Sequence, residues 1–193
     1  MGILGKHGIT ANTPGNILLG AGTYHKNLTF KDGNWNGDLL GATSGGGKIA
    51  IAGELMDLDV DGALVKVKGM TVKQGGTATA EVNFVELSAN ILKMGGLLAE
   101  GASDADGFKM LEDKATISDG DYVQNFGFVG MTADGTKPIV VIFDWAICTS
   151  GLEVEAKNKE QTVVKLTLEA CADIDGDLNT LPIRIYYPEA VGA

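Results

Sequence analysis

The chain has 193 residues, 45% of them hydrophobic and 6% aromatic, so it is long enough to bury one domain-sized core and too apolar to stay unfolded. Its formal charge is −10, and all of that excess lies in residues 97–193, where seventeen Asp/Glu face seven Lys/Arg. The lack of a Lys/Arg cluster argues against tight non-specific binding to nucleic acid, because neutralising phosphates takes several cations together, and leaves open contact with DNA that must not stick. Glycine, at 28 residues, stands at roughly twice its usual ~7% share, while proline is scarce at four. That pairing predicts many turns and bulges in a β framework. The longest apolar run, "IVVIF" (139–143), is far short of the ~20 residues that span a bilayer as a helix. The opening "MGILGKHGITANTPG" has no signal-peptide apolar core, and Lys6 stands where a myristoylation signal needs Ser or Thr. No membrane anchor is expected.

In chain order, residues 1–15 read as a flexible arm, and residues 32–48, "DGNWNGDLLGATSGGGK", as a long glycine-rich loop between two strands. In "KIAIAGELMDLDVDG" the apolar phase of Ile49, Ile51 and Leu55 changes to that of Met56, Leu58 and Val60, which predicts a bulge after Gly53. A second phase change, from Val65 and Val67 to Met70 and Val72, predicts a bend at Gly69. "TATAEVNF" alternates cleanly, with Ala78, Ala80, Val82 and Phe84 on one face. One helix is predicted, over 88–96: Ser88 as N-cap, Gly95–Gly96 as the stop, and Ile91, Leu92 and Leu87 packed on the sheet. Strands follow at 121–132 and at 138–148, the latter apolar on both faces and so central. A polar excursion, "GLEVEAKNKEQT", precedes "VVKLTLEAC", where Val164, Leu166, Leu168 and Ala170 face inward. "LPIRIYYP" (181–188) reads as the last strand, and 189–193 as a tail. The whole predicts a mainly β fold: a two-sheet β-sandwich or half-open barrel with one short flanking α-helix and long loops.

The motifs that could carry chemistry fail on spacing. "GATSGGGK" (41–48) looks like a phosphate loop, but Ala42 replaces the first required glycine and Ile49 the hydroxyl after the lysine. A strand also follows where a helix N-terminus is needed. "GAGTYH" (20–25) lacks the third glycine of a dinucleotide fingerprint. "DIDGD" (173–177) has its glycine fourth rather than sixth and no Glu at the twelfth position, so it reads as an acidic turn, not a calcium loop. "LDVDG" (58–62) and "SDADG" (103–107) are Asp-Gly turns of the same kind. His7 and His25 have no metal pair or nucleophile near them in the sequence. Cys148 and Cys171 sit in apolar segments without CxxC spacing and read as buried free thiols, with a disulfide as the alternative. No catalytic residues, cofactor or metal are expected.

The order of several segments carries a resemblance. "GNILLGAGTYHKNL", "GDLLGATSGGGKIAI", "LMDLDVDGALVKVKG" and "NFVELSANILK" come first, then "FGFVGMTADGTKPIVVIFDWAICTSGLEVEAKNKEQTVVKLTLEACAD" and "PIRIYYP". Together, from Asn16 to Pro188, they resemble the tail-tube (major tail) proteins of long-tailed bacteriophages. The stretch 97–120 has no counterpart in that pattern. The resemblance implies a structural protein of the virion tail, assembled in the host cytoplasm, whose copies form hexameric rings that stack into a tube. It implies contacts with a tape-measure protein, a tail terminator and baseplate or tip proteins, and a lumen through which genomic DNA passes without specific binding. An acidic lining would let DNA slide where a basic one would hold it.

Loops that order on assembly can tie rings together, and residues 32–48 are the expected place. The interface is predicted at Asn34, Trp35, Asn36, Gly37, Asp38, Leu39, Leu40, Gly41, Ser44, Gly45 and Gly46. Trimming 34–46 is expected to leave the fold intact. The alternative is a secreted carbohydrate-binding β-sandwich, which would call for an export signal and an exposed aromatic platform from Trp35 or Trp145. A nucleotide-dependent enzyme would rest on Lys48 alone.

Overall fold

The structure, a computed structural model, describes residues 8–10, 12–156 and 158–188. His7, Lys6 and the tail at 189–193 lie outside these, as does most of the predicted N-terminal arm. A single helical turn, α1 (Thr13–Asn16), leads into β1 (Thr23–Lys31), β2 (Asn34–Leu39), β3 (Thr43–Asp57) and β4 (Thr71–Phe84). Helix α2 (Ala89–Gly96) and a small hairpin, β5 (Ala99–Gly101) with β6 (Met110–Glu112), follow. The chain closes with β7 (Val123–Met131), β8 (Pro138–Cys148), β9 (Val164–Cys171) and β10 (Ile183–Tyr186). The main sheet is antiparallel, in the order β2-β1-β7-β8-β9-β4-β3, with β10 also on β8; among the described residues β5 and β6 pair only with each other.

The fold is mainly β, and its two layers are halves of one bent sheet. The second edge of β8 is divided: residues 140–143 pair with β10, and 145–148 with β9. At the change-over, β7 and β8 skip the pair that Asn125 and Asp144 would make, and Asn125 takes φ +43°. Both strands change phase there. Phe126, Phe128 and Phe143 point into the main core on one side of the break, and Val123, Ala146 and Cys148 on the other. Arg184 of β10 clasps the corner, donating to Asp144 at 2.7 Å and to Asn125 at 2.9 Å.

Across the bend, Tyr24 and the phenylalanines of β7 and β8 meet Ala78, Ala80, Val82 and Phe84 of β4 and Val164, Leu166 and Leu168 of β9. These β4 and β9 residues are direct register partners (Ala80↔Leu168, Val82↔Leu166, Phe84↔Val164), so period-2 alternation on both strands delivers every apolar side chain to one face. A second, smaller cluster of Leu28, Val140 and Ile142 lies on the opposite face of β1 and β8, covered by Trp35 and Val129.

Helix α2 closes one end of the core. Ser88 accepts the Ile91 N–H at 3.3 Å, and Ile91 and Met94 are buried. Gly95 and Gly96 are helical rather than the stop. A Cβ on Gly95 would lie 2.8 Å from Leu166, so this glycine lets the helix sit against β9. The stop is Leu97, in the left-handed region at φ +52°. Leu87, expected under the helix, is exposed.

Two expectations need correction. Residues 32–48 are not a long loop: 34–39 form β2, hairpinned on β1, and β3 has begun by Thr43. Their polar side chains mark a solvated edge strand, whose ladder comes from β1 and not from an apolar pattern. Trimming 34–46 would remove that strand and the buried Leu40, whose N–H donates to the Tyr24 carbonyl at 2.9 Å. The bend predicted at Gly69 lies in a strand that does not exist, because residues 58–70 form the turn between β3 and β4. The predicted bulge near Leu55 is present: Glu54 faces Gly75 and Leu55 faces Lys73, so the extra residue is Gln74 of β4.

Candidate assembly surface

β3 and β4 run far past the core. Facing side chains are buried from Ala78 to Phe84, but from Ile51 around to Met70 no residue is fully buried, since no second layer of described residues stands opposite. Apolar residues continue regardless: Leu55, Met56, Leu58, Val60, Leu64, Val65 and Val67 are all exposed, Leu64 at 97%. Residues 57–70 wrap an open cavity of about 630 Å3, whose apolar walls, Leu58, Val60, Leu64, Val65, Val67 and Met70, are joined by Asp57, Asp59 and Lys66. Asp57 holds the neck of this turn. Its carboxylate accepts from the Thr71 hydroxyl and pairs with Lys66 at 2.9 Å, and these contacts, Thr71 first, keep its pKa below the ordinary carboxylate value. Exposed apolar side chains gathered on a projecting hairpin are the kind of patch found at interaction surfaces.

The sheet also has free edges at β2, at β3 and on the outer side of β10, which pairs with β8 alone among the described residues. β2 and β3 are terminal in the strand order, so each offers one row of backbone groups with no strand partner among the described residues. β2 is the protected edge: it is six residues long, carries Asn34, Asn36 and Asp38, and faces a bulge in β1 where Asn27 (φ +56°) donates to Asp38 at 2.9 Å. β3 is the open one, fifteen residues long. Its outward face continues through β4 and β9 as short or balanced side chains, in which Glu81 pairs with Lys165 at 2.6 Å and Lys48 at 3.5 Å. Those lysines, Lys165 foremost, hold the Glu81 pKa down.

The predicted interface residues divide among three settings. Asn34, Trp35, Asn36, Gly37, Asp38 and Leu39 lie on β2. Leu40 is buried, and Gly41 packs against Ile91 and Glu86. Ser44, Gly45 and Gly46 form a bulge at the start of β3, where the residues between Thr43 and Gly47 stand opposite Asn83 alone. Gly45 and Gly46 take φ +75° and +73°, a conformation that suits glycine. Asn83 donates to the Gly46 carbonyl at 3.2 Å, Gln161 to the Ser44 hydroxyl at 3.2 Å, and Glu86 accepts the Ala42 N–H at 3.1 Å. "GATSGGGK" is therefore a pinned bulge. Sequence reading missed the 58–70 turn as an exposed surface, although its broken phase was the available signal.

Trp35 packs between Phe30 and Tyr186, with ring centroids at 5.0 and 4.8 Å. The interplanar angles are 57° and 69°, so Phe30 lies tilted against the indole and Tyr186 meets it edge to face. His25 contacts the Thr23 hydroxyl at 2.9 Å, and both cysteines are free thiols, Cys148 buried and Cys171 half-buried. Burial, and then Glu169, push the Cys171 thiol pKa up. Asp173 and Asp177 cap their own turn by accepting the Asp175 and Asn179 N–H groups. Among the described residues no three His, Cys, Asp or Glu side chains converge to hold a metal, and no helix is long and apolar enough to cross a membrane.

No protein-family model and no curated protein matches the chain. Solved structures do. A chain in the tail of an empty gene transfer agent particle, refined with C6 helical symmetry, is 10% identical over 81% of this chain and 96% of that one, with a TM-score of 0.40. A chain in the virion of a native gene transfer agent particle is 12% identical over 79% of this chain and 92% of that one, also at a TM-score of 0.40.

Proposed function

We propose that this chain is a structural tail-tube protein. Its copies join into hexameric rings, the rings stack into a virion tail assembled in the host cytoplasm, and the tube conducts DNA. The observation that carries this reading is the β3–β4 hairpin, which holds an apolar cup clear of its own core. A monomer gains nothing from exposing those side chains, whereas a second copy seated on them buries area at ~25 cal/mol per Å2. The open edge of β3 supplies a second kind of contact, since a neighbour's strand can extend the ladder. The segment resemblance from Asn16 to Pro188 supplies the family, and with it the tape-measure, terminator and baseplate or tip partners.

The net charge of −10 suits a tube that must not hold DNA, and it also makes copies repel one another at low salt. Purified protein is therefore expected to be monomeric when dilute at low salt, and to form rings or tubes when concentrated or salted, as read by sedimentation and negative-stain microscopy. A chain that stays monomeric across that whole range rejects the proposal.

A further inference from the structure

A cleft of about 380 Å3 opens between β1, α2 and the start of β7. Leu40 and Met94 line it, with Tyr122 and Trp145 as aromatic walls. Two half-buried lysines, Lys26 of β1 and Lys93 of α2, also line it. Among the described residues neither lysine has a carboxylate within ion-pair distance. Among the described lining residues the one acid, Asp121, is already held by Lys114 and Ser118. Asp38, opposite Lys26 across the β1–β2 ladder, accepts from Asn27 instead. Two ammonium groups at one cleft without a counter-ion favour an anionic guest.

The same chain carries a group of matching charge. Among the described residues the β5–β6 hairpin pairs with no other strand, and an isolated hairpin is marginal in water. In its turn, Ser103 and Ala105 satisfy each other: the Ser103 hydroxyl donates to the Ala105 carbonyl at 3.0 Å and accepts the Ala105 N–H at 3.3 Å. Asp104 and Asp106 are exposed, and Lys109, the nearest cation along the chain, is engaged by Glu100 at 3.0 Å. Phe108 follows at 74% exposure. The acidic turn at 173–177 is a poorer guest, because Asp173 and Asp177 are used by their own turn.

We propose that the Lys26/Lys93 cleft receives the Asp104–Phe108 turn of a second copy of this chain. The two carboxylates meet the two ammonium groups, and the Phe108 ring lies against Met94 and the aromatic walls. This rests on the self-association reading above and adds a contact distinct from the β3–β4 hairpin. Donor turn and acceptor cleft are different surfaces, so the contact runs head to tail and propagates around a ring or along a stack.

The test compares four full-length proteins: wild type, Lys26→Glu/Lys93→Glu, Asp104→Lys/Asp106→Lys, and the combination of all four changes. Each double variant is expected to raise the concentration at which assembly begins by about tenfold or more, and the combined variant to bring it back toward wild type. Circular dichroism checks that each protein is folded. In parallel, a carbodiimide links touching amines and carboxylates in assembled wild type prepared from mixed 14N and 15N chains. Links from Lys26 or Lys93 to Asp104 or Asp106 are expected in mixed-isotope pairs. Double variants that assemble at the wild-type concentration, or links confined to one chain, overturn this contact while leaving self-assembly standing. A wild type that never assembles overturns both.

Discussion

The hydroxyl of Tyr24 occupies the space that a side chain at Gly47 would need. A Cβ there would lie 2.0 Å from Oη and 2.6 Å from the Glu81 carbonyl oxygen. The contact joins the β1 layer to β3 across the bend, and it gives the last glycine of "GATSGGGK" its reason. Gly47→Ala is expected to cost about 1–3 kcal/mol, because the ring and the β4 backbone must both shift. Urea denaturation should show a lower midpoint at unchanged slope. In the Tyr24→Phe background the penalty should shrink; equal penalties in the two backgrounds would show that the β4 backbone alone is responsible.

At the hairpin tip, Leu64→Asp changes a side chain that touches almost nothing in the monomer. Monomer stability should stay within about ±0.5 kcal/mol, as at ordinary surface sites. Assembly should fail or need much higher concentration. Normal tubes from this variant would show that the cup is not a contact.

The Asp121 side chain is 3% exposed and ion-paired with Lys114. Burial pushes its pKa up, but Lys114, then the Ser118 N–H and hydroxyl, outweigh that and hold it below the ordinary value. A folded-state pKa below the unfolded one stabilises the fold above the unfolded pKa of ~3.9, and that contribution is lost as pH falls through the folded value. Asp121→Asn should therefore lower the melting temperature at pH 7, by the equivalent of about 1–2 kcal/mol. The gap to wild type should narrow in acid below pH ~4. A gap that is constant with pH would mean that the loss is packing, not charge.

Arg184 ties β10 to the corner at Asn125 and Asp144. Because the side chain is well exposed, Arg184→Ala should cost only about 1 kcal/mol or less overall. The effect should instead be local. Amide exchange at Ile183–Tyr186 should quicken, while β4 and β9 keep their protection. Uniform quickening through the sheet would show that the corner governs the whole fold.

The strands that pack the core were legible because alternation is a local property. Ala78, Ala80, Val82 and Phe84 alternate, their partners Val164, Leu166 and Leu168 do the same, and a pleated chain can bury such a set on only one face. The apolar run of β8 announced a strand with neighbours on both edges, and it has β7 on one and β9 with β10 on the other. Residues 34–39 gave no such signal. Their strand exists because β1 lies beside them and completes their hydrogen bonds, which no composition reveals.

At 58–70 the sequence continues an apolar pattern that the tertiary structure leaves uncovered, since burial depends on a facing layer as well as on hydrophobicity. The lysine cleft is the clearest case, for Lys26, Lys93, Tyr122 and Trp145 are far apart along the chain and meet only once the sheet has bent. Alternation by itself determined which side chains face one another along each strand pair. The bend at Asn125 and Asp144 decided which distant surfaces come together, because it depends on how β9 and β10 share one edge of β8.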